Sequence, residues 1–218
     1  MKRLKFTLIG ICLLSSTITV FANENEEGWF LRPIFSLSNL SDTTGAISGS
    51  SQSGTVEITT DSGFSAGLGL GYQYNQNVAV EIFWEYRTND SNTTFADGTS
   101  FTGNYASNVF FLNGFYYFDS GSKSNWQTYI GAGIGWVQEI DLDIESMGSE
   151  ESFSGDGQSA TQLFVGTEYN LTKDLDIQLE LRYGNISSID MNNESTNIPL
   201  NGLDYKTTSI QVGFVYQF

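Results

Sequence analysis

The 218-residue chain carries 25 acidic and nine basic side chains, no histidine and one cysteine. A net charge of −16 argues against nucleic acid and anionic surfaces as partners, because phosphates are bound through Lys and Arg. The missing histidine removes His-dependent hydrolysis and the commonest metal ligand.

Residues 1–22 read as a cleaved export signal. Lys2, Arg3 and Lys5 precede a short apolar core, Phe6 to Leu14, and Val20-Phe21-Ala22 has the small-x-small character of a cleavage site. The core falls far short of the roughly 20 residues a spanning helix needs. Cys12 lies inside this segment behind Ile11, which is too large for a lipoprotein signal. Residues 23–218 then form one domain with six basic against 25 acidic side chains, a net charge of −19.

From Gly28 onward the apolar period is two, the spacing of a strand whose side chains alternate between faces. In the first strand, about Gly28 to Asn39, Trp29, Leu31, Phe35 and Leu37 oppose Arg32, Ser36 and Ser38. A Ser/Thr/Gly/Asp loop without core-building residues is expected to about Asp61. Gly63 to Tyr74 alternates Phe64, Ala66, Leu68, Leu70, Tyr72 and Tyr74 with Ser65, Gly67, Gly69, Gly71 and Gln73. After a tight Asn75-Gln76-Asn77 turn, Val78 to Arg87 sets Val78, Val80, Ile82, Trp84 and Tyr86 against Ala79, Glu81, Phe83, Glu85 and Arg87.

A polar loop at 88–104 leads to Tyr105–Phe118, apolar on both sides. Its expected outward set is Phe110, Leu112, Tyr116 and Phe118, with Asn113 inward. Trp126 to Gln138 alternates Ile130, Ala132, Ile134 and Trp136 with Tyr129, Gly131, Gly133 and Gly135. An acidic segment runs to about Gln158, and Ala160–Leu171 then separates Leu163, Val165 and Tyr169 from Gln162, Gly166 and Glu168. Leu175 to Gly184 follows the Thr172-Lys173-Asp174 turn, and a loop at 185–204 precedes the last strand, where Ile210, Val212, Phe214, Tyr216 and Phe218 share a face.

The fold class is therefore all-β. Eight strands joined by three short turns and four long loops predict an eight-stranded antiparallel up-and-down transmembrane β-barrel with four long extracellular loops. About ten residues at 3.3 Å each, tilted near 40°, span about 25 Å, the height of an outer-membrane apolar band. A soluble barrel would show the same alternation with its apolar face inward. The export signal, the aromatics at strand ends and the glycine rows on the charged face favour the membrane reading.

Tyr129-Ile-Gly-Ala-Gly-Ile-Gly135 resembles the YxGxGxG strand of the small outer-membrane β-barrel superfamily, which includes OmpA-like transmembrane domains and Opa-like surface proteins. Leu181-Arg182-Tyr183 and Val215-Tyr-Gln-Phe218 are similar to its seventh and eighth strands. The resemblance implies the bacterial outer membrane as location, outer-membrane lipid and the barrel assembly machinery as partners, and Phe218 as an assembly signal. It implies no cofactor.

Two residue sets carry the functional expectations. Arg32, Glu81, Glu85, Arg87, Glu168, Glu180 and Arg182 share the inner parity and are expected to form a lumen network, because buried charges must pair. The other reading of that set is a gated ion path. Glu139, Asp141, Asp143 and Glu145 are expected to continue the inner face beyond the membrane, with Ile140, Leu142 and Ile144 outward. That acidic ladder reads either as a solvated face or as a site where divalent cations bridge carboxylates, its apolar edge then docking a partner by strand addition. Function follows as a non-enzymatic outer-membrane protein whose loops serve interaction or adhesion with an extracellular or host ligand; the alternative is a narrow porin-like channel for small solutes or ions.

Overall fold

The computed structural model describes residues 27–49, 53–118, 125–146 and 149–218. The predicted export signal and Cys12 lie outside them, as does most of the turn after Phe118. Among the described residues eleven strands form a single antiparallel sheet. They are β1 (Gly28–Leu40), β2 (Thr43–Ile47), β3 (Gly54–Thr60), β4 (Ser62–Asn75), β5 (Val78–Thr94) and β6 (Ser100–Tyr117). They continue with β7 (Trp126–Ser146), β8 (Ser149–Gly155), β9 (Ser159–Asn170), β10 (Leu175–Asn193) and β11 (Pro199–Gln217).

Followed from β1, the ladders run to β4, β5, β6, β7, β9, β10 and β11, and β11 pairs with β1 again. The sheet thus returns to its own start. The three remaining strands extend the same wall at one end. The β2–β3 hairpin bridges β11 and β5 beyond the ends of β1 and β4, and β8 sits between β7 and β10 beyond β9. β7 pairs with β6 as far as Ile144 and with β8 from Ile140 to Ser146, and β8 meets β10 at Phe153 and Ser154.

At the other end the β4–β5 turn is tight for a local reason. The Asn75 side-chain oxygen accepts hydrogen bonds from the backbone N–H groups of Asn77 (2.9 Å) and Val78 (3.0 Å), fixing the β4–β5 turn. Aromatics gather at this end on the outer face, where Trp29 and Tyr72 meet at 5.4 Å and Trp126 and Tyr169 at 4.8 Å between ring centroids. A second outer set, Tyr86, Trp136 and Tyr183, is exposed further along the strands, and between the two sets stand Leu68, Leu70, Ile82, Ile134, Val165, Leu179 and Val212. In β6 Phe110, Leu112 and Tyr116 are outward, as is Phe118 just after it, and Asn113 is buried inside.

The segments expected to be loops are mostly strand. The 40–61 segment holds β2 and β3, the 88–104 segment is strand except around residues 95–99, and β10 and β11 consume most of 185–204. The reason is an apolar core where none was expected. Ile47, Val56, Ile58, Phe95, Tyr105, Phe153, Ile189, Met191, Leu200 and Leu203 all point inward and are buried together. Each is flanked along the chain by Ser, Thr, Asn, acidic, Gly, Ala or Pro residues, so the stretch reads as polar although its inner face is apolar.

The acidic ladder is reversed. Asn108 pairs with Glu139 but Val109 pairs with Val137, so Gln138 is an extra residue in β7, a bulge that shifts the alternation by one. Beyond it Ile140, Leu142 and Ile144 are 0, 0 and 2 % exposed inside, and Glu139, Asp141, Asp143 and Glu145 line the outer face. A one-residue shift exchanges every side chain between faces, which is why the expected placement fails as a block.

Candidate functional site: a charged layer across the interior

The interior between the two apolar ends is crossed by charge. Arg32 on β1 donates from Nε to Glu81 Oε1 on β5 (2.7 Å), with a second contact from Nη2 to Glu81 Oε2. Its Nη1 reaches Glu180 Oε2 and Gln178 Oε1 on β10, each at 3.3 Å. Arg182 donates from Nε to Glu180 Oε1 (2.8 Å) and from Nη1 to Gln162 Oε1 (3.2 Å). Glu180 therefore joins both cations, and its Oε2 also accepts from Tyr129 OH (2.8 Å) and Gln178 Nε2 (3.1 Å). Glu81 is closed from the far side by Asn113 Nδ2 (2.8 Å), whose Oδ1 accepts from Gln162 Nε2 (2.6 Å).

The guanidinium groups are also stacked. Arg32 lies 4.8 Å from the Phe115 ring centroid and 5.4 Å from that of Phe83, and Arg182 lies 4.8 Å from Phe83 and 4.9 Å from Phe164. The sequence Phe115, Arg32, Phe83, Arg182, Phe164 is a continuous stack of ring and cation. Two glycines open the space it needs. A Cβ at Gly69 would stand 1.9 Å from Glu81 Oε1, and one at Gly131 would stand 2.0 Å from the Phe164 ring. The glycine rows thus admit the side chains of the neighbouring strands.

Four of the seven expected residues, Arg32, Glu81, Glu180 and Arg182, make this one network. Glu85 and Arg87 form a separate buried pair at 2.7 Å, continued by Ser65 Oγ donating to Glu85 at 2.7 Å. Glu168 stands apart near the tight-turn end, accepting from Tyr117 OH at 3.2 Å, and has no ion-pair partner among the described residues. The expected list omitted the neutral members Asn113, Tyr129, Gln162 and Gln178 and the three stacking phenylalanines. Their shared inner parity was the available signal.

On the outer face the four ladder carboxylates follow one another along β7, and among the described residues no three acidic, His or Cys groups are placed to hold a metal ion. Asp141 is the constrained member. Partial burial pushes its carboxyl up to about 6, with further upward contributions from Glu139, Asp143 and Glu194. Phe218 lies at the aromatic end with its side chain exposed against Tyr216, and its backbone N–H donates to Trp29 O at 3.0 Å.

A closed cycle of antiparallel ladders, apolar outside with aromatic margins and charged within, defines the class of membrane-spanning β proteins. Residues 8–218 match the model of the outer membrane protein beta-barrel domain, and the chain belongs to that family; its place is the bacterial outer membrane. Among solved structures it is similar to the outer membrane protein OprG from Pseudomonas aeruginosa, with 20% identity, 88% of this chain and 96% of that chain covered, and a TM-score of 0.68. It is also similar to neisserial surface protein A, with 15% identity, 88% and 97% coverage, and a TM-score of 0.55. No curated protein matches the sequence.

Proposed function

We propose that the chain is a sealed outer-membrane barrel that displays a rigid extracellular surface for interaction or adhesion, and that it catalyses nothing. Its transmembrane part is the eight-strand cycle, oriented with the tight turns in the periplasm and the β2–β3, β5–β6, β7–β8 and β10–β11 hairpins outside. Short periplasmic turns and long extracellular hairpins are the usual arrangement of such barrels.

One observation carries the reading: three buried layers follow one another through the interior. At the tight-turn end Phe30, Phe115, Tyr117, Tyr129, Phe164 and Val215 pack together. The Arg32–Glu81–Glu180–Arg182 layer follows, and the apolar core of the extracellular hairpins closes the far end. A barrel of eight strands has an interior that side chains can fill, and here they do so with paired charges and packed rings. A porin-like path would need these layers to part.

The outer wall of the extracellular hairpins is made of Thr, Asn, Ser, Asp and Glu. Lys206 is its one exposed cation among the described residues, and Asp204 holds it at 2.6 Å. A partner would meet an acidic, hydrogen-bonding surface on a stiff support.

Single cysteines test display cleanly, because Cys12 is the only cysteine in the sequence and falls in the expected signal. Asp97→Cys and Thr196→Cys should react with a membrane-impermeant maleimide on intact cells. Lys173→Cys should react only after the outer membrane is opened. The reverse pattern would overturn the orientation and the display reading with it.

A further inference from the structure

The outer wall is not uniformly covered. At one level of the sheet Val80, Gly114, Ala132 and Leu163 lie side by side on β5, β6, β7 and β9, in register and facing out. One step further along the strands the same wall carries Ile82, Leu112 and Ile134, all exposed and all larger than Gly or Ala. The result is an apolar groove of about 580 Å³ with Gly114 and Ala132 at its base. Phe115 and Phe164, neighbours of the outward positions whose own side chains are buried inside, also border it. A Cβ placed on Gly114 would meet no atom within 4 Å, so the space outside it is open.

The groove lies within the membrane band. Ala132 stands between Trp126 and Trp136 on β7, and Gly114 is four residues from Phe118 at the tight-turn end of β6. At that depth there is no water to fill a recess, and an unfilled one forfeits the dispersion contacts of its lining. We propose that the groove is a binding site for one phospholipid acyl chain of the periplasmic leaflet, held more firmly than the surrounding lipid. The occupant is a hydrocarbon tail because the lining is Val, Ala, Gly, Ile, Leu and Phe, with Tyr116 its single polar side chain and no charged group. A second barrel is a poorer fit: its wall is convex and stiff, whereas a flexible tail follows a concave floor. The groove is continuous with the lipid-covered band on every side. Only the choice of leaflet rests on the orientation proposed above, and the cysteine labelling tests that separately.

Native mass spectrometry of the protein released from bilayers containing both phospholipid and lipopolysaccharide tests the site. The wild type should retain one phospholipid under activation that strips the remaining lipid. Filling the groove with Gly114→Leu/Ala132→Leu should lower the lipid-bound fraction at least tenfold, and Ala132→Leu alone should lower it in the same direction. Ile210→Leu, on another part of the wall, should retain lipid as the wild type does. Equal retention by the wild type and the filled variant would overturn the proposal. So would retained lipopolysaccharide in place of phospholipid, or a lipid-free dimer lost on filling.

Discussion

Replacing Arg182 with Leu tests the charged layer at one of its two cations. The substitution removes the 2.8 Å hydrogen bond to Glu180 Oε1, the hydrogen bond to Gln162 and the contacts with the Phe83 and Phe164 rings. Glu180 keeps Arg32, Tyr129 and Gln178, but all of these approach Oε2, so Oε1 is left buried without its cation. Breaking a buried ion pair from one side costs about 3–5 kcal/mol, and loss of the desolvated cation–π contacts adds up to about 2 kcal/mol. Removing both partners with Arg182→Leu/Glu180→Leu should restore most of the ion-pair part, because the uncompensated charge disappears together with its partner. The assay is urea unfolding of the folded protein in lipid bilayers, followed by its heat-modifiable gel mobility. A single-variant loss below about 1 kcal/mol, or a double variant as unstable as the two single losses added, would refute the account of the layer.

Three further outcomes follow from the same structure. Leu142→Ala, in the apolar core shared with β2, β3 and β8, should cost about 2–5 kcal/mol by the same unfolding assay, whereas a mobile loop would tolerate it. Asp141→Asn should stabilise the protein at pH 7 and lose that advantage as the pH falls through about 6 towards 4, a convergence that paired urea midpoints would reveal. The sign follows from a carboxyl raised in the fold from its ordinary 3.8: the folded state binds the proton more tightly, so protonation in that window favours folding. Deleting Phe218 should reduce insertion in cells while leaving the stability of refolded protein nearly unchanged, since its side chain is exposed and touches little beyond Tyr216. Surface levels equal to the wild type would remove the assembly role.

The membrane half of the molecule was legible because its alternation is uninterrupted. The strands there keep a largely apolar outer face, while glycine and polar residues alternate with a few rings and aliphatics on the inner one, and the pairing register is consistent with that pattern. The half that carries β2, β3 and β8 was hidden for two physical reasons. Its outward positions are Thr, Ser and Asn, which locally mimic a loop, and its inward apolar residues are isolated, so only their partners on other strands turn them into a core. The bulge at Gln138 is equally invisible from the side chains, since nothing in Val137-Gln138-Glu139 demands an extra residue until Asn108 and Val109 are aligned opposite. In the charged layer the charges could be found by parity alone. Which glutamate bridges two arginines, and which amides close the network, depends on the cross-strand register.

The sealed interior is the claim on which the proposed function stands, and single-channel recording of the purified protein in planar bilayers meets it directly. The wild type should insert without any stable conductance step. A steady ohmic conductance from wild-type protein, reproducible across insertions, would contradict the filled interior and make the chain a channel.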